Sequence, residues 1–349
     1  MIDFSEAVEA YIEIIKDDLR ASGATDDELN WLLSENGDNE ETDELYDDIL
    51  REVAKLILDN ANENLDKRDK KEKNERMQTR RRFGIIWGKG FAWMRQFHSL
   101  SLETCESFRV IANKNPQIVN NPNTYKALYL IFARAILVYS EVICLMENGF
   151  PDGAFAHYRT LYELWAVAEL IYSDEDAEVV ASTYLQSANK ISTDEAGHYK
   201  WAKSSKRFEN SANVTISAIV KKAHETCMLK REQGRSNKKM MGDYTFPNTL
   251  IHPAAIGLEI LSNSFPNAKT VGMTNPAINA SLRLYEISSL YTFMFAEALS
   301  DDETTQFYDD AFICNEMLRE MVWEKIWPIF NEIEHGDQNE KERRADLDG

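Results

Sequence analysis

The sequence predicts an all-α protein, and three observations lead to this prediction. The 349 residues include only 14 Gly and 8 Pro, which is little turn punctuation for a β-rich fold. Leu, Ala, Glu, Lys, Ile and Met recur over long stretches at the spacing of helix faces. Two long apolar segments are separated only by ENGFPDG. We therefore expect a multi-helix bundle with a long antiparallel helical hairpin, about 124–148 and 152–173, at its core.

The predicted helices follow from periodicity and from helix-start and helix-stop residues. Asn148-Gly149 is a stop signal, and Pro151 with Asp152 is typical of a first helical turn. Before this turn, an aromatic and apolar pattern begins at Phe83. The predicted helices cover about 4–20, 41–62, 83–98, 101–114, 124–148, 152–173, 176–189, 194–208, 211–232, 246–263, 276–299 and 304–334.

Uneven charge divides the chain into predicted segments. Residues 1–66 carry 21 acidic and 4 basic side chains, a net charge of −17, and residues 67–82 carry 9 basic and 3 acidic, a net of +6. The basic run neutralises the acidic segment or binds RNA, and the first reading is the simpler one. The four predicted segments are an acidic helical arm (1–66), a basic linker or helix (67–82), a helical core domain (83–334) and a disordered tail (335–349).

Composition indicates a cytoplasmic protein. The first residues, MIDFSEAVEAYIE, lack the apolar core of a secretion signal, and the four cysteines form no CxxC pair. Segment 127–147 is long and apolar, but Arg134 and Glu141 inside it favour a buried core helix over a membrane span. We expect no membrane contact, a homo-oligomer formed through apolar helices, and a protein partner for the acidic arm.

Two pairs of charged residues interrupt the apolar hairpin. Arg134 and Glu141 are seven residues apart on the first helix, and Arg159 and Glu163 are one turn apart on the second. Antiparallel packing would put Glu141 level with Arg159, and Arg134 near Glu163. We expect a buried charge network of these four residues, which either fixes the register of the two helices or lines an active or binding cavity.

The segment DYTFPNTLIHP is the second candidate site. Asn248 and His252 are four residues apart and would share a helix face, with Tyr244 one turn earlier. A histidine beside polar side chains is suited to acid–base catalysis, although a histidine on an apolar helix is more often a core residue.

Three stretches of the chain resemble a bacterial family of unknown function, numbered 5677. They are ENGFPDGAFAHYRTLYELWAVAELI, DYTFPNTLIHPAAIGL and NPAINASLRLYEISSL, within about 83–300. The resemblance implies an all-helical fold and no established reaction. The positions that it carries over are Arg159, Glu163, His252 and Tyr244.

The segment around His252 is also similar to the signature of HEPN helical ribonucleases, which cleave RNA without a metal ion. That signature is Arg, a polar residue, three variable residues and His. Asn248 and His252 match it, but Pro247 stands where arginine is expected. Arg159 could replace that arginine only if the fold brings it beside His252.

No cofactor motif is present, and we expect neither a cofactor nor a metal. Glu195-x-x-His198 and Glu332-x-x-His335 have the spacing of di-metal ligands, but their surroundings are polar and their order is not the usual alternation. Two functions remain open. The chain is either a metal-independent endoribonuclease of defence or toxin type, with catalytic residues His252, Arg159, Glu163, Asn248 and Tyr244, or a non-enzymatic helical binding or scaffold protein that oligomerises.

Overall fold

A computed structural model describes five continuous stretches of the chain and eleven isolated residues. The stretches are 62–114, 120–187, 195–227, 274–298 and 304–333. The isolated residues are 13, 16, 17, 20, 21, 25, 51, 55, 58, 59 and 244. Most of the predicted acidic arm, the predicted helix 246–263 and the tail lie outside the described residues.

Helices are the only regular secondary structure in these stretches, so the all-α prediction is confirmed there. The α-helices are α1 (Leu65–Lys114), α2 (Pro122–Glu147), α3 (Pro151–Tyr172), α4 (Ala177–Ser187), α5 (Glu195–His198), α6 (Ile216–Thr226), α7 (Thr274–Ala298) and α8 (Thr304–Glu320). A 3₁₀ helix covers Lys200–Ser204, and a π-helix, Met321–Ile326, follows α8.

One predicted break is wrong, because the helices expected at 83–98 and 101–114 are a single helix. Ser101 is buried at the expected break, and its hydroxyl donates a 2.8 Å hydrogen bond to the carbonyl oxygen of Phe97. A serine that bonds one turn back satisfies its own polar group inside a helix. The polar string HSLS is therefore compatible with continuous helix.

The chain divides into two compact units, residues 1–77 and 78–349. In the second unit α2, α3 and α7 pack against one another, and α6 packs on α3. Helix α2 is the only described helix that is long and apolar enough to span a membrane. Half of its most apolar 18-residue stretch is buried in the protein. The core helix of a soluble protein has the same properties.

The turn between α2 and α3 has the form expected from ENGFPDG. Gly149 has a φ of +82°, a conformation that glycine adopts without a side-chain clash. Its N–H donates to the carbonyl of Met146 at 3.0 Å, and the N–H of Phe150 donates to Leu145 at 2.8 Å. These bonds satisfy the last carbonyls of α2 before Pro151 begins α3.

A carboxylate caps the other end of α2. Glu178 on α4 accepts hydrogen bonds of 3.0 Å from the backbone N–H groups of Asn123 and of Thr124. The first N–H groups of a helix have no partner inside it, and a negative charge there is favourable. Glu178 thus fixes α4 to the start of α2.

Two glycines of α1 provide a test of packing. A Cβ on Gly90 would lie 2.6 Å from Cε2 of Phe330, whereas a Cβ on Gly88 would meet nothing within 4 Å. Phe330 is fully buried and stacks on Trp87 with 5.3 Å between ring centroids. We expect Gly90→Ala to lower the free energy of unfolding by roughly 1–3 kcal/mol. Gly88→Ala should raise it by up to about 1 kcal/mol through helix propensity.

Urea unfolding followed by circular dichroism measures both changes. Because the two substitutions are chemically identical and lie in one helix, Gly88→Ala is the control. Equal effects of the two would contradict the packing of Phe330 over Gly90.

Candidate functional site

Arg159 and Glu163 form an ion pair on one side of α3. The guanidinium Nε of Arg159 lies 2.9 Å from Oε1 of Glu163, and the two side chains are 27% and 26% exposed. Their spacing of four residues puts them on the same helix face. Burial alone would lower the pKa of Arg159, but the combined effects of Glu163 and Tyr244 outweigh it and the pKa is raised. The guanidinium is therefore charged, and the pair is only partly accessible.

Tyr244 packs against this ion pair from a distant part of the chain. Its hydroxyl donates a 3.2 Å hydrogen bond to Oε1 of Glu163, and Cζ of Arg159 lies 5.7 Å from the centre of its ring. Tyr244 is 1% exposed, and burial together with the charge of Glu163 raises its pKa. We call Arg159, Glu163 and Tyr244 the ion-pair site. Three of the predicted site residues are brought together in it.

Asn248 and His252 lie outside the described residues. They follow Tyr244 by four and eight positions in the sequence. Their convergence with Arg159 stays a prediction.

The expected charge network of four buried residues is not formed. Arg134 is exposed, and it lies 3.6 Å from Glu141 of its own helix. The cross-helix contact of Glu141 is with His157, at 2.9 Å. The buried residues of α2 are Thr124, Ala127, Leu128, Ile131, Phe132, Ala135, Ile136, Val138, Tyr139, Val142, Ile143 and Met146.

The prediction of a buried network failed because it assigned the charged residues of α2 to the wrong face of that helix. Comparing residue numbers across an antiparallel pair gives the level of each residue along the axes, but not the direction of its side chain. Leu130 and Leu137 lie on the same side of α2 as Arg134, and they are 45% and 52% exposed. Helix α2 has apolar residues on both faces, so its periodicity did not identify the buried one.

A second set of charged residues, which the sequence did not single out, is buried deeper in the protein. Arg283 and Glu286 on α7 are 1% and 3% exposed, and the guanidinium of Arg283 is hydrogen-bonded to Oε2 of Glu286. Cζ of Arg283 lies 4.2 Å from the ring centre of Tyr162 and 4.5 Å from that of Trp165. Burial opposes the charge of Arg283, but Glu286 together with neighbouring groups such as Tyr162 outweighs burial and raises its pKa. The guanidinium is held by one carboxylate and two aromatic rings.

Glu169 on α3 is the second buried carboxylate, with 4% exposure. Burial and the negative charge of Glu286 raise its pKa to about 7, against the opposing effects of Arg207 and a hydrogen bond with Thr226. Two carboxylates near each other in the interior cannot both ionise at low cost. Glu169 therefore takes up a proton near neutral pH.

His224 on α6 completes this group. It is 1% exposed, and its Nε2 lies 2.7 Å from the hydroxyl oxygen of Tyr162. We call Tyr162, Glu169, His224, Arg283 and Glu286 the central cluster. Its residues come from α3, α6 and α7, so it joins the three helices through contacts between buried polar and charged groups.

One sequence signal could have found part of the central cluster. Glu169 lies in WAVAELI, where all six other residues are apolar and buried in the structure. A lone carboxylate in such a run has no exposed helix face available. The spacing of Arg283 and Glu286 is too common to have indicated burial by itself.

Within the part of the chain that the structure describes, no group of three or more His, Cys, Asp or Glu could hold a metal ion. His335 lies outside that part.

Comparison with known proteins gives one match. No curated protein and no solved structure matches the chain, so the likeness to HEPN ribonucleases stays a prediction. One family model matches residues 125–274 of the chain. This segment contains Arg159, Glu163, Tyr244, Asn248 and His252, whereas Arg283 and Glu286 lie beyond it. The resemblance expected over about 83–300 is confirmed for its central part: residues 125–274 match the model of a family of unknown function, DUF5677.

Proposed function

We propose that the protein is a metal-independent endoribonuclease whose reaction takes place at the ion-pair site. The observation that supports this proposal is the packing of Tyr244 on Arg159 and Glu163. Tyr244 contacts a partly exposed guanidinium, and it precedes Asn248 by four residues and His252 by eight. Cleavage of RNA without a metal needs such a cation next to an acid–base group.

Each residue has a role that its chemistry supports. Arg159 presents a planar set of N–H donors, of which Nε is directed at Glu163, and the others are suited to the charge that develops on a phosphate. Glu163 orients the guanidinium. His252 either accepts the proton of the attacking 2′-hydroxyl or donates a proton to the leaving group. Tyr244 and Asn248 position the substrate.

A protein with a net charge of −20 needs a local cationic surface to attract RNA. The basic run 67–82 is helical and almost entirely exposed. Its acidic side chains pair within the helix, as in Lys73–Asp69 at 2.6 Å and Arg76–Glu72 at 2.5 Å. The net charge of +6 therefore faces solvent, which supports RNA as the substrate.

The test is cleavage of end-labelled RNA by the full-length protein in excess EDTA. We expect wild type to cleave, and His252→Ala and Arg159→Ala each to lose activity by roughly 10²–10⁴-fold. Arg319→Ala is the matched control, because Arg319 forms an exposed ion pair with Glu316 at 2.7 Å on α8. It should cleave like wild type.

Cleavage by His252→Ala at the wild-type rate, or no cleavage by the wild type, would overturn the proposal. The alternative is a non-enzymatic binding or scaffold protein that forms homo-oligomers. One observation favours it, the exposed leucines Leu130 and Leu137 on one face of α2. An inactive wild type that sediments as a dimer would support this alternative.

A further inference from the structure

Tyr162 connects the central cluster to the ion-pair site. Its side chain is fully buried, and it lies on α3 one residue before Glu163. The neighbouring side chain of Glu163 points to the ion-pair site, whereas Tyr162 points to the interior. Contacts that fix the ring of Tyr162 therefore act in the interior, at the residue next to Glu163 of the ion-pair site.

The hydroxyl group of Tyr162 is fixed by His224, through the 2.7 Å contact with Nε2. Both groups are buried, and neither exchanges this bond for water without opening the core. Because the hydroxyl oxygen lies at the end of a rigid ring, this contact fixes the position of that end of the ring.

The ring face of Tyr162 is fixed by Arg283. The 4.2 Å between Cζ and the ring centre is close for a cation–π contact, and the guanidinium is also paired with Glu286. The position of Tyr162 is thus determined by two polar groups on two different helices, α6 and α7.

Tyr244 packs against Tyr162. The ring centroids are 5.5 Å apart with an interplanar angle of 49°. Tyr244 is bonded to Glu163 on its other side. Its place in the ion-pair site is therefore defined by the carboxylate that its hydroxyl reaches and by the ring of Tyr162.

We propose that Tyr162 is a positioning residue for Tyr244: His224 and Arg283 hold its ring, and its ring holds Tyr244 against Arg159 and Glu163. The effect on catalysis rests on the proposed function, since Tyr244 begins the segment that carries His252. The effect on the position of Tyr244 does not rest on it.

The experiment compares Tyr162→Phe with Tyr139→Phe in the full-length protein. Tyr139 is the matched control, because it is also fully buried and its hydroxyl has a 2.7 Å hydrogen bond, to Ser281. Each variant loses one buried hydroxyl and keeps its ring. Two quantities are measured: the kinetic constants for RNA cleavage and the ¹⁹F resonance of 3-fluorotyrosine incorporated at position 244.

We expect Tyr162→Phe to lower kcat by roughly tenfold to a hundredfold with little change in KM, as misplacement of a catalytic segment does. We also expect it to shift or broaden the ¹⁹F resonance. Tyr139→Phe should leave both quantities at the wild-type values. His224→Gln, which keeps a hydrogen-bonding group near the hydroxyl, should retain more activity than His224→Leu.

Equal effects of Tyr162→Phe and Tyr139→Phe would show general destabilisation and overturn the proposal. An unchanged ¹⁹F resonance in Tyr162→Phe would overturn it as well. If the wild type does not cleave RNA but the resonance shifts, the proposed function is wrong and Tyr162 still positions Tyr244. The two failures are therefore distinguishable.

Discussion

Arg283→Met lowers the free energy of unfolding by roughly 3–5 kcal/mol, the usual cost of removing one partner of a buried ion pair. The methionine has the length to occupy part of the space, but it leaves the carboxylate of Glu286 in the interior without its guanidinium. It also removes the cation that lies over the rings of Tyr162 and of Trp165. Both losses fall in the region where α3, α6 and α7 meet.

The matched control is Arg319→Met. Arg319 and Glu316 are three residues apart, as are Arg283 and Glu286, but their side chains are 44% and 39% exposed. An exposed pair of this kind contributes about 0–1 kcal/mol. Chemical denaturation of both variants beside wild type gives the comparison. Similar losses for the two would mean that the central cluster does not exclude water.

Glu169→Gln makes the protein more stable at pH 8 and changes little at pH 5. The folded-state pKa of about 7 lies above the ordinary value of 4.5, so the folded protein holds a proton that the unfolded chain releases. The bound proton of Glu169 contributes fully to the free energy of unfolding below about pH 4.5, and this contribution is lost as the pH rises through about 7. Ionised Glu169 then costs up to about 3 kcal/mol at pH 8. Glutamine resembles the neutral acid and avoids this cost.

Unfolding curves at pH 5 and pH 8 measure this effect. Glu103→Gln, on an exposed part of α1, controls for the loss of one negative charge from an acidic protein. If Glu169→Gln is no more stabilising at pH 8 than at pH 5, Glu169 is ionised in the folded protein at both values.

The fold was predictable from sequence to a greater extent than the site. The bounds of α2 and α3 were predicted within two residues because Pro122, Gly149 and Pro151 act locally on the backbone. The sequence did not predict the single helix α1, because the polar Ser101 indicated a helix end. In the structure its hydroxyl group is hydrogen-bonded to the carbonyl oxygen of Phe97, so the helix continues.

The site depended on which helix face is buried, and local rules do not determine that. Arg159 and Glu163 were paired correctly because both lie on one helix. Arg134 was assigned to the core because apolar residues surround it on both sides of α2. Glu169, His224 and Arg283 lie in one cluster although they are more than fifty residues apart in the sequence. Local hydrophobic periodicity does not predict contacts over such separations.

The stacking of Phe330 on Trp87 has a consequence for how the protein is made. These rings close the core between α1 and the end of the last described helix, and Arg283 reaches Tyr162 over about half of that separation in sequence. A chain emerging from the ribosome cannot form either contact until nearly all of it has been synthesised. Contacts of such high order slow folding. The faces of α1 and α3 that await α7 and Phe330 stay exposed through most of synthesis, so a chain truncated before residue 274 would present them to other proteins.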